Sequence, residues 1–397
     1  MLLYIMSQLN TKINESKSSH IYYDVAVSNL QSSTSAPQTF SFNDTRTIPF
    51  ISNPEEYTMS IIRFSCGTSS LPVFICQIQP NQGDRDLSIY SVTLTYQGIE
   101  VQTFVNWNPQ DTSAPLPPAP NQTQNKRQFN QEGYYNCYSY TFFIERIFAA
   151  FQTCFTALNV LVVAAGGVLP TIHAPVINWD PTTNSASLYA DCGGYEVNPA
   201  IGIDQIGVFM NAPLFSLFNS FPSVYLGYNV TNGKNYKIPF VDIGGTNIVT
   251  LIPPLQFPVP PATYVTYRAI LWTQEQSTIA SWSPILSVVF TSNTLPIEAN
   301  QVSTPVVFSN NQNIALGGNN ADFQNIITDI VSQDGNYRPN LVYNPSAEYR
   351  RIALKGNRPL YSIDLNIYYK IITGELIPMR LFSGESCTMK ILFEKIK

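Results

Sequence analysis

Apolar and polar residues alternate with a period of two along most of this chain, and the pattern is clearest near its C-terminus. Tyr361, Ile363, Leu365, Ile367 and Tyr369 alternate with Ser362, Asp364, Asn366, Tyr368 and Lys370. Cys387, Met389, Ile391 and Phe393 repeat this against Thr388, Lys390 and Glu394, with Leu392 the exception. A period of two marks a strand with one buried face. The expectation is a chain that ends inside a core strand, a closed β-sandwich completed by its final segment. Upstream, IYYDVAV (21–27), YTMSIIRF (57–64) and LPVFICQI (71–78) read as strands, the last two separated by a Gly-Thr-Ser-Ser turn. In LSIYSVTLTYQG, Leu87 and Ile89 share one parity and Val92, Leu94 and Tyr96 the other. The slip at Ile89–Tyr90 predicts a β-bulge.

The period changes in the middle of the chain. Ile144, Ile147, Phe148, Phe151, Phe155, Leu158 and Val162 follow helical spacing, which predicts one substantial helix at about 140–160. Gly166–Gly167 and Pro170 supply its stop signal. The stretch 147–169 is uncharged and long enough to span a bilayer. Gln152, Thr153, Thr156 and Asn159 dilute it, however, so a helix packed on a sheet is the favoured reading over a membrane span. Contact with an internal membrane beneath a shell is an intermediate option. Strands then return in SLYADCGGY, IGVFM, SVYLGYNV, NIVTLIPP, YVTYRAILWT and PILSVVFTS, with a short helix in NAPLFSLFNSFP (211–222). Proline-rich 114–124 and 253–262 read as loops, 300–322 as a linker-like loop, and 1–19 as a flexible N-terminal arm. Closely spaced strands with loop punctuation indicate an all-β sandwich or jelly roll rather than βαβ units.

Composition shifts the picture towards assembly. Charged residues make up 12% of the 397 and hydrophobic residues 44%. Soluble domains carry roughly a quarter charged residues. Here Asn, Gln, Ser and Thr replace the missing ions, and burying neutral amides and hydroxyls at subunit contacts costs less than burying charges. With a net charge of −5 the chain lacks the basic footprint of general nucleic-acid recognition. No charge occurs from Ile147 to Trp179 or from Gln205 to Gly233. Arg338, Arg350, Arg351, Lys355 and Arg358 form a loose basic cluster, read as a solvated face, with contact to packaged DNA or an acidic neighbour as the functional option. Cysteines 66, 76, 137, 154, 192 and 387 show neither Cys-x-x-Cys spacing nor local density, so they read as reduced, mostly core residues of a protein made in the cytoplasm or nucleus. The N-terminus lacks a signal-peptide pattern.

Candidate chemistry is sparse. The two histidines are His20 and His173. No metalloprotease, nucleophile-elbow, phosphate-loop or dinucleotide motif is present. A Cys–His couple, for instance His173 with Cys154 or Cys192, has little weight, because two histidines and six cysteines always allow some pairing. Asp84 and Asp86 flank Arg85 and read as a self-paired hairpin cluster, short of the oxygens a calcium site needs. Asp180 and Asp191 are isolated in sequence. Trp107, Trp179, Trp272 and Trp282 do not cluster in sequence, so a sugar platform has no specific support. The expectation is no catalytic residue, no metal and no cofactor.

Four stretches resemble one family in the order they occur: FSFNDTRTIPFISNPEEYTMSIIRFSCGTSSLPVFI (40–75), YYNCYSYTFFIERIFAAFQTCFTALN (134–159), SWSPILSVVFTSNTLPIEANQVSTP (281–305), and the C-terminal block with IDLNIYYK, Gly-Glu-Leu-Ile-Pro and TMKILFEK. They look like the minor capsid (penton) proteins of virophages and Polinton-like double-stranded DNA viruses. The resemblance implies a jelly roll with an inserted, mainly β domain. Its parts would be 20–130 and 285–397, with 131–284 inserted. It implies a non-enzymatic virion protein, located at the capsid vertex as a homopentamer beside the major capsid protein. A short double jelly-roll major capsid protein and a carbohydrate-binding β-sandwich or glycosidase remain open alternatives.

Overall fold

The computed structural model describes residues 20–29, 37–80, 82–120, 128–196, 205–241, 247–251, 267–298, 300–302, 306–309, 312–315, 322–331, 340–344 and 350–396. The chain divides into two compact units: Met1–Leu71 together with Pro284–Lys397, and Pro72–Ser283.

The first unit is an antiparallel sandwich. In one sheet the strand Ser386–Lys395 lies between His20–Ser28 and Tyr57–Gly67, and Asn340–Tyr343 follows on the far side. The terminal strand is therefore central, with both backbone edges paired. Met389 sits opposite Val25 on one side and Phe64 on the other. Cys387, Met389, Ile391 and Phe393 are all buried, as their alternation requires. Leu392, on the opposite face, is buried too. The register with Tyr57–Gly67 shifts between Lys390 and Ile391, where Ile62 of the partner strand is the extra residue of a bulge. The second sheet runs Ile326–Ile330, Ile285–Thr291, Ser362–Ile371, Leu376–Pro378, with Ser41–Thr45 pairing the first half of Ser362–Ile371. Phe64 meets Phe290 edge-on at 4.9 Å between the two sheets, and Phe50, from the segment after Ser41–Thr45, lies 5.8 Å from Phe393.

The second unit holds two further antiparallel sheets and the long helix Tyr140–Ala164. One sheet has the order Val224–Tyr225, Tyr236–Ile238, Gly207–Met210, Leu87–Tyr96, Ile99–Asn106. The other runs Ile248–Leu251, Tyr267–Thr273, Ser185–Asp191, Val176–Asp180. The helix packs on strands of both, burying Phe143, Ile144, Ile147, Phe148, Phe151, Cys154, Leu158 and Val162. It is the one helix among the described residues long and apolar enough to cross a membrane, yet this face is fully occupied by protein. It ends in a Schellman turn: Gly167 N–H donates to Val162 O and Gly166 N–H to Val163 O, both at 2.9 Å, with Gly166 at φ +81°. The predicted bulge at Ile89–Tyr90 lies in the register shift between Leu87 and Ser91.

Three expectations need correction. The first part of the sandwich was expected to reach 130, but the chain leaves it after Leu71. Leu87–Tyr96 pairs with Gly207–Met210 and Ile99–Asn106, so residues 72–130 belong to the second unit. Of LPVFICQI only Phe74–Ile75 is a strand; beyond it Cys76 N–H goes to Tyr135 O and Ile78 N–H to the Gln128 side chain. The stretch 300–322, read as a loop, contains strand pairs: Asn300–Val302 with Asp322–Gln324, and Val306–Ser309 with Gln312–Ala315. Its polar residues hid them, because two-stranded ribbons need little apolar alternation. The arm 1–19, the connector 253–262 and Arg338 lie outside the described residues.

Candidate functional site

The candidate reactive residues are used up in structural roles. His173 stacks on Tyr267 with ring centroids 3.9 Å apart, and its carbonyl accepts from the Tyr195 hydroxyl. Burial lowers its pKa, against the opposing pull of Asp191. Cys154 is buried and directs its thiol to Val101 O at 3.1 Å. Cys192 opens a single helical turn capped by Asp191, and burial raises its pKa. No hydrogen bond among the described residues joins His173 to either cysteine. Asp191 also accepts from the Thr171 hydroxyl, and Asp180 holds the 180–183 turn through Thr182 N–H and the Thr183 hydroxyl. His20 lies 3.2 Å from Glu394.

The Asp84–Arg85–Asp86 cluster is not self-paired. Arg85 donates to Pro117 O at 2.9 Å, Asp84 accepts from Asp86 N–H, and Asp86 accepts from the Tyr134 hydroxyl. These contacts tie the turn before Leu87 to the segments around Pro117 and Tyr134. Trp179 and Trp282 do meet, at 6.0 Å, but inside a buried cluster with Tyr140 and Phe143. Both tryptophans are buried, so neither turns a free ring face to solvent. No group of three or more metal-ligating side chains occurs among the described residues. The basic cluster is largely spent on acids: Arg351 on Glu394 at 2.9 Å, Lys355 on Glu298 at 2.7 Å, and Arg350 near Asp329 at 3.6 Å.

One buried structural carboxylate escapes the periodicity. Asp364 belongs to the polar parity of its strand, yet it is 8% exposed. Its carboxylate accepts from the Ser292 hydroxyl at 2.6 Å, Thr294 hydroxyl at 2.7 Å, Thr294 N–H at 2.8 Å and Asn293 N–H at 2.9 Å. Burial alone would raise its pKa; the hydroxyls of Ser292 and Thr294 and the backbone of 293–294 outweigh it and hold the carboxyl below its ordinary range. Asp364 thus pins the turn that follows Ile285–Thr291 to the strand Ser362–Ile371. The signal available in sequence was the run Ser292-Asn293-Thr294, three donors directly after an apolar strand.

The surface is more informative than the interior. Along the outward face of the long helix Gln152, Thr153, Thr156 and Asn159 are followed by Val160, Leu161 and Val163, which are exposed. The exposed apolar surface continues through Val168 and Ile172, which are 79% and 83% exposed. A second patch comprises Val224, Tyr225, Leu226 and Tyr228, around the edge strand Val224–Tyr225. Isolated exposed apolar side chains are ordinary; grouped ones such as these are candidates for contact with a partner.

Known proteins match this chain along most of its length. The family model of the Sputnik minor capsid protein V18/19 matches residues 21–395. Structural protein V19 of Sputnik virophage is 26% identical over 220 residues, covering 55% of this chain and 92% of that protein. Uncharacterized protein V18 of the same virophage is 35% identical over 146 residues, 35% of this chain and 84% of that one. A chain in the 3.5 Å cryo-EM structure of the Sputnik virophage superposes with a TM-score of 0.75 at 27% identity, over 95% of this chain and 98% of its own. The mavirus penton protein superposes with a TM-score of 0.60 at 12% identity, over 95% and 99%. The fold is all-β, of the jelly-roll kind expected from the sequence. Matched along nearly its whole length, the chain belongs to the Sputnik minor capsid protein V18/19 family.

Proposed function

We propose that this chain is a penton-type capsid subunit, a structural virion protein that acts by assembly rather than catalysis. Family membership over 21–395 carries the reading. In this reading Met1–Leu71 with Pro284–Lys397 forms the jelly roll, and Pro72–Ser283 is an insertion within it. Five copies pack heterologously about a five-fold axis, each presenting one side face to a different face of its neighbour. The ring fills a capsid vertex among major capsid subunits. The charge-poor, amide-rich composition suits such permanent contacts, since few ions have to be desolvated. Ion pairing within the basic cluster argues against a role in gripping packaged DNA. Native mass spectrometry of the purified protein, alone and with the major capsid protein, tests this: five-subunit rings are expected. A stable trimer as the sole assembly would redirect the reading to a major capsid subunit.

A further inference from the structure

Cys66 and Cys387 stand directly opposite one another on the paired strands Tyr57–Gly67 and Ser386–Lys395. Opposite residues of an antiparallel pair project to the same face of the sheet, with Cα atoms about 4.5–5.5 Å apart. A disulfide requires Cα atoms roughly 4.4–6.8 Å apart. Both residues are 1% exposed. Cys66 directs its thiol to Gly67 O at 3.2 Å. The register alone therefore places the two α-carbons within the range a disulfide bridges.

The second unit supplies an internal contrast. Cys76 faces Tyr135 through the hydrogen bond from its own N–H, while Cys137 lies opposite Phe74. Those two cysteines are diagonal neighbours, and diagonal positions lie about 7–8 Å apart. They fall outside the bridging range without strand movement.

We propose that Cys66 and Cys387 are an oxidation site, two thiols preset to form a cross-strand disulfide that locks the C-terminal strand into the centre of its sheet. With a peroxide as oxidant the step balances. One thiol, as thiolate, attacks a peroxide oxygen and becomes a sulfenic acid, releasing one water. The other thiol then displaces that hydroxyl, giving the disulfide and a second water. Two electrons pass from the two sulfurs to the peroxide. Because both sulfurs are buried, reaction awaits brief opening of the strand, and the finished bond is equally shielded from reductants.

The test treats the full-length protein with hydrogen peroxide or with a reductant, blocks residual thiols by alkylation under denaturing conditions, and maps unreduced peptides by mass spectrometry. The expected result is a loss of two hydrogens from the intact mass and one linked peptide pair joining Cys66 to Cys387. The thermal midpoint should rise by about 5 °C or more, since the bond closes a loop spanning most of the chain. That rise should vanish in Cys387→Ala and in Cys66→Ala, each compared with its own reduced form. Recovery of Cys66 and Cys387 as separate alkylated or over-oxidised residues would overturn the proposal. So would a Cys76–Cys137 link formed as readily.

Discussion

At the scale of single residues, Asp364 is the most instructive group in the molecule. Its carboxylate gathers the hydroxyls and backbone of Ser292, Asn293 and Thr294. Asp364→Asn puts an amide where an acceptor is required and leaves buried donors unmatched. We expect a loss of about 2–4 kcal/mol in urea denaturation. The pH dependence follows from the lowered folded pKa. Stability from this group is complete above the unfolded carboxyl value of about 4 and is lost as pH falls through the lower folded value. The asparagine variant should therefore show a shallower decline between about pH 5 and pH 2 than the wild type. A second contrast lies on the terminal strand. Ile391 is 0% exposed, so Ile391→Asp buries an unpaired charge and should leave the protein insoluble or unfolded. Lys390 reaches only a 3.7 Å contact with Asp24 and the ring of Tyr22, and Lys390→Gln should change stability by no more than about 1 kcal/mol.

At the scale of elements, the strand Ser386–Lys395 and the long helix repay the closest attention. The strand is hydrogen-bonded on both edges. Removing it exposes two backbone edges and forfeits four or more buried apolar side chains, about 5–10 kcal/mol by area. That rivals the net stability of a typical domain. A chain truncated after Gly384 should be recovered in the insoluble fraction, and a cooperative unfolding transition at the full-length midpoint would contradict this. Just past the helix, Gly166 sits at φ +81° with open space where a β-carbon would lie. Gly166→Ala therefore measures backbone strain alone, about 1–2 kcal/mol, read from the thermal or urea midpoint.

At the scale of the whole molecule, the proposed function predicts that some substitutions spare folding and cost assembly. Val160, Val163 and Ile172 are exposed, so replacing all three with lysine should alter the stability of the isolated subunit by about 1 kcal/mol or less. If that end of the helix is a subunit contact, five-subunit rings should disappear from native mass spectra of the variant. Unchanged rings would assign the assembly contacts to other surfaces. The unit Pro72–Ser283 contains its own aromatic core around Phe74, Phe143, Phe218 and Trp282. Expressed alone it should unfold cooperatively, whereas Met1–Leu71 alone, lacking its partner strand Ser386–Lys395, should not fold.

What the amino-acid order determined by itself is whatever repeats over one element. Ile363, Leu365, Cys387 and Met389 announced their strands, Ile147, Phe151, Leu158 and Val162 their helix, and Gly166–Gly167 its end, because side-chain direction within an element follows local backbone geometry. The four stretches that resemble minor capsid proteins also lay open in the order of residues. Tertiary structure alone decided which strands pair. Leu87–Tyr96 looked as fit for the first sandwich as for the second unit, since apolar alternation marks a buried face without naming the partner that covers it. It likewise decided that Asp364 is buried, that Trp179 meets Trp282, and that Cys66 faces Cys387. Each of these depends on register between segments distant in the chain, and register is fixed only when whole faces pack together.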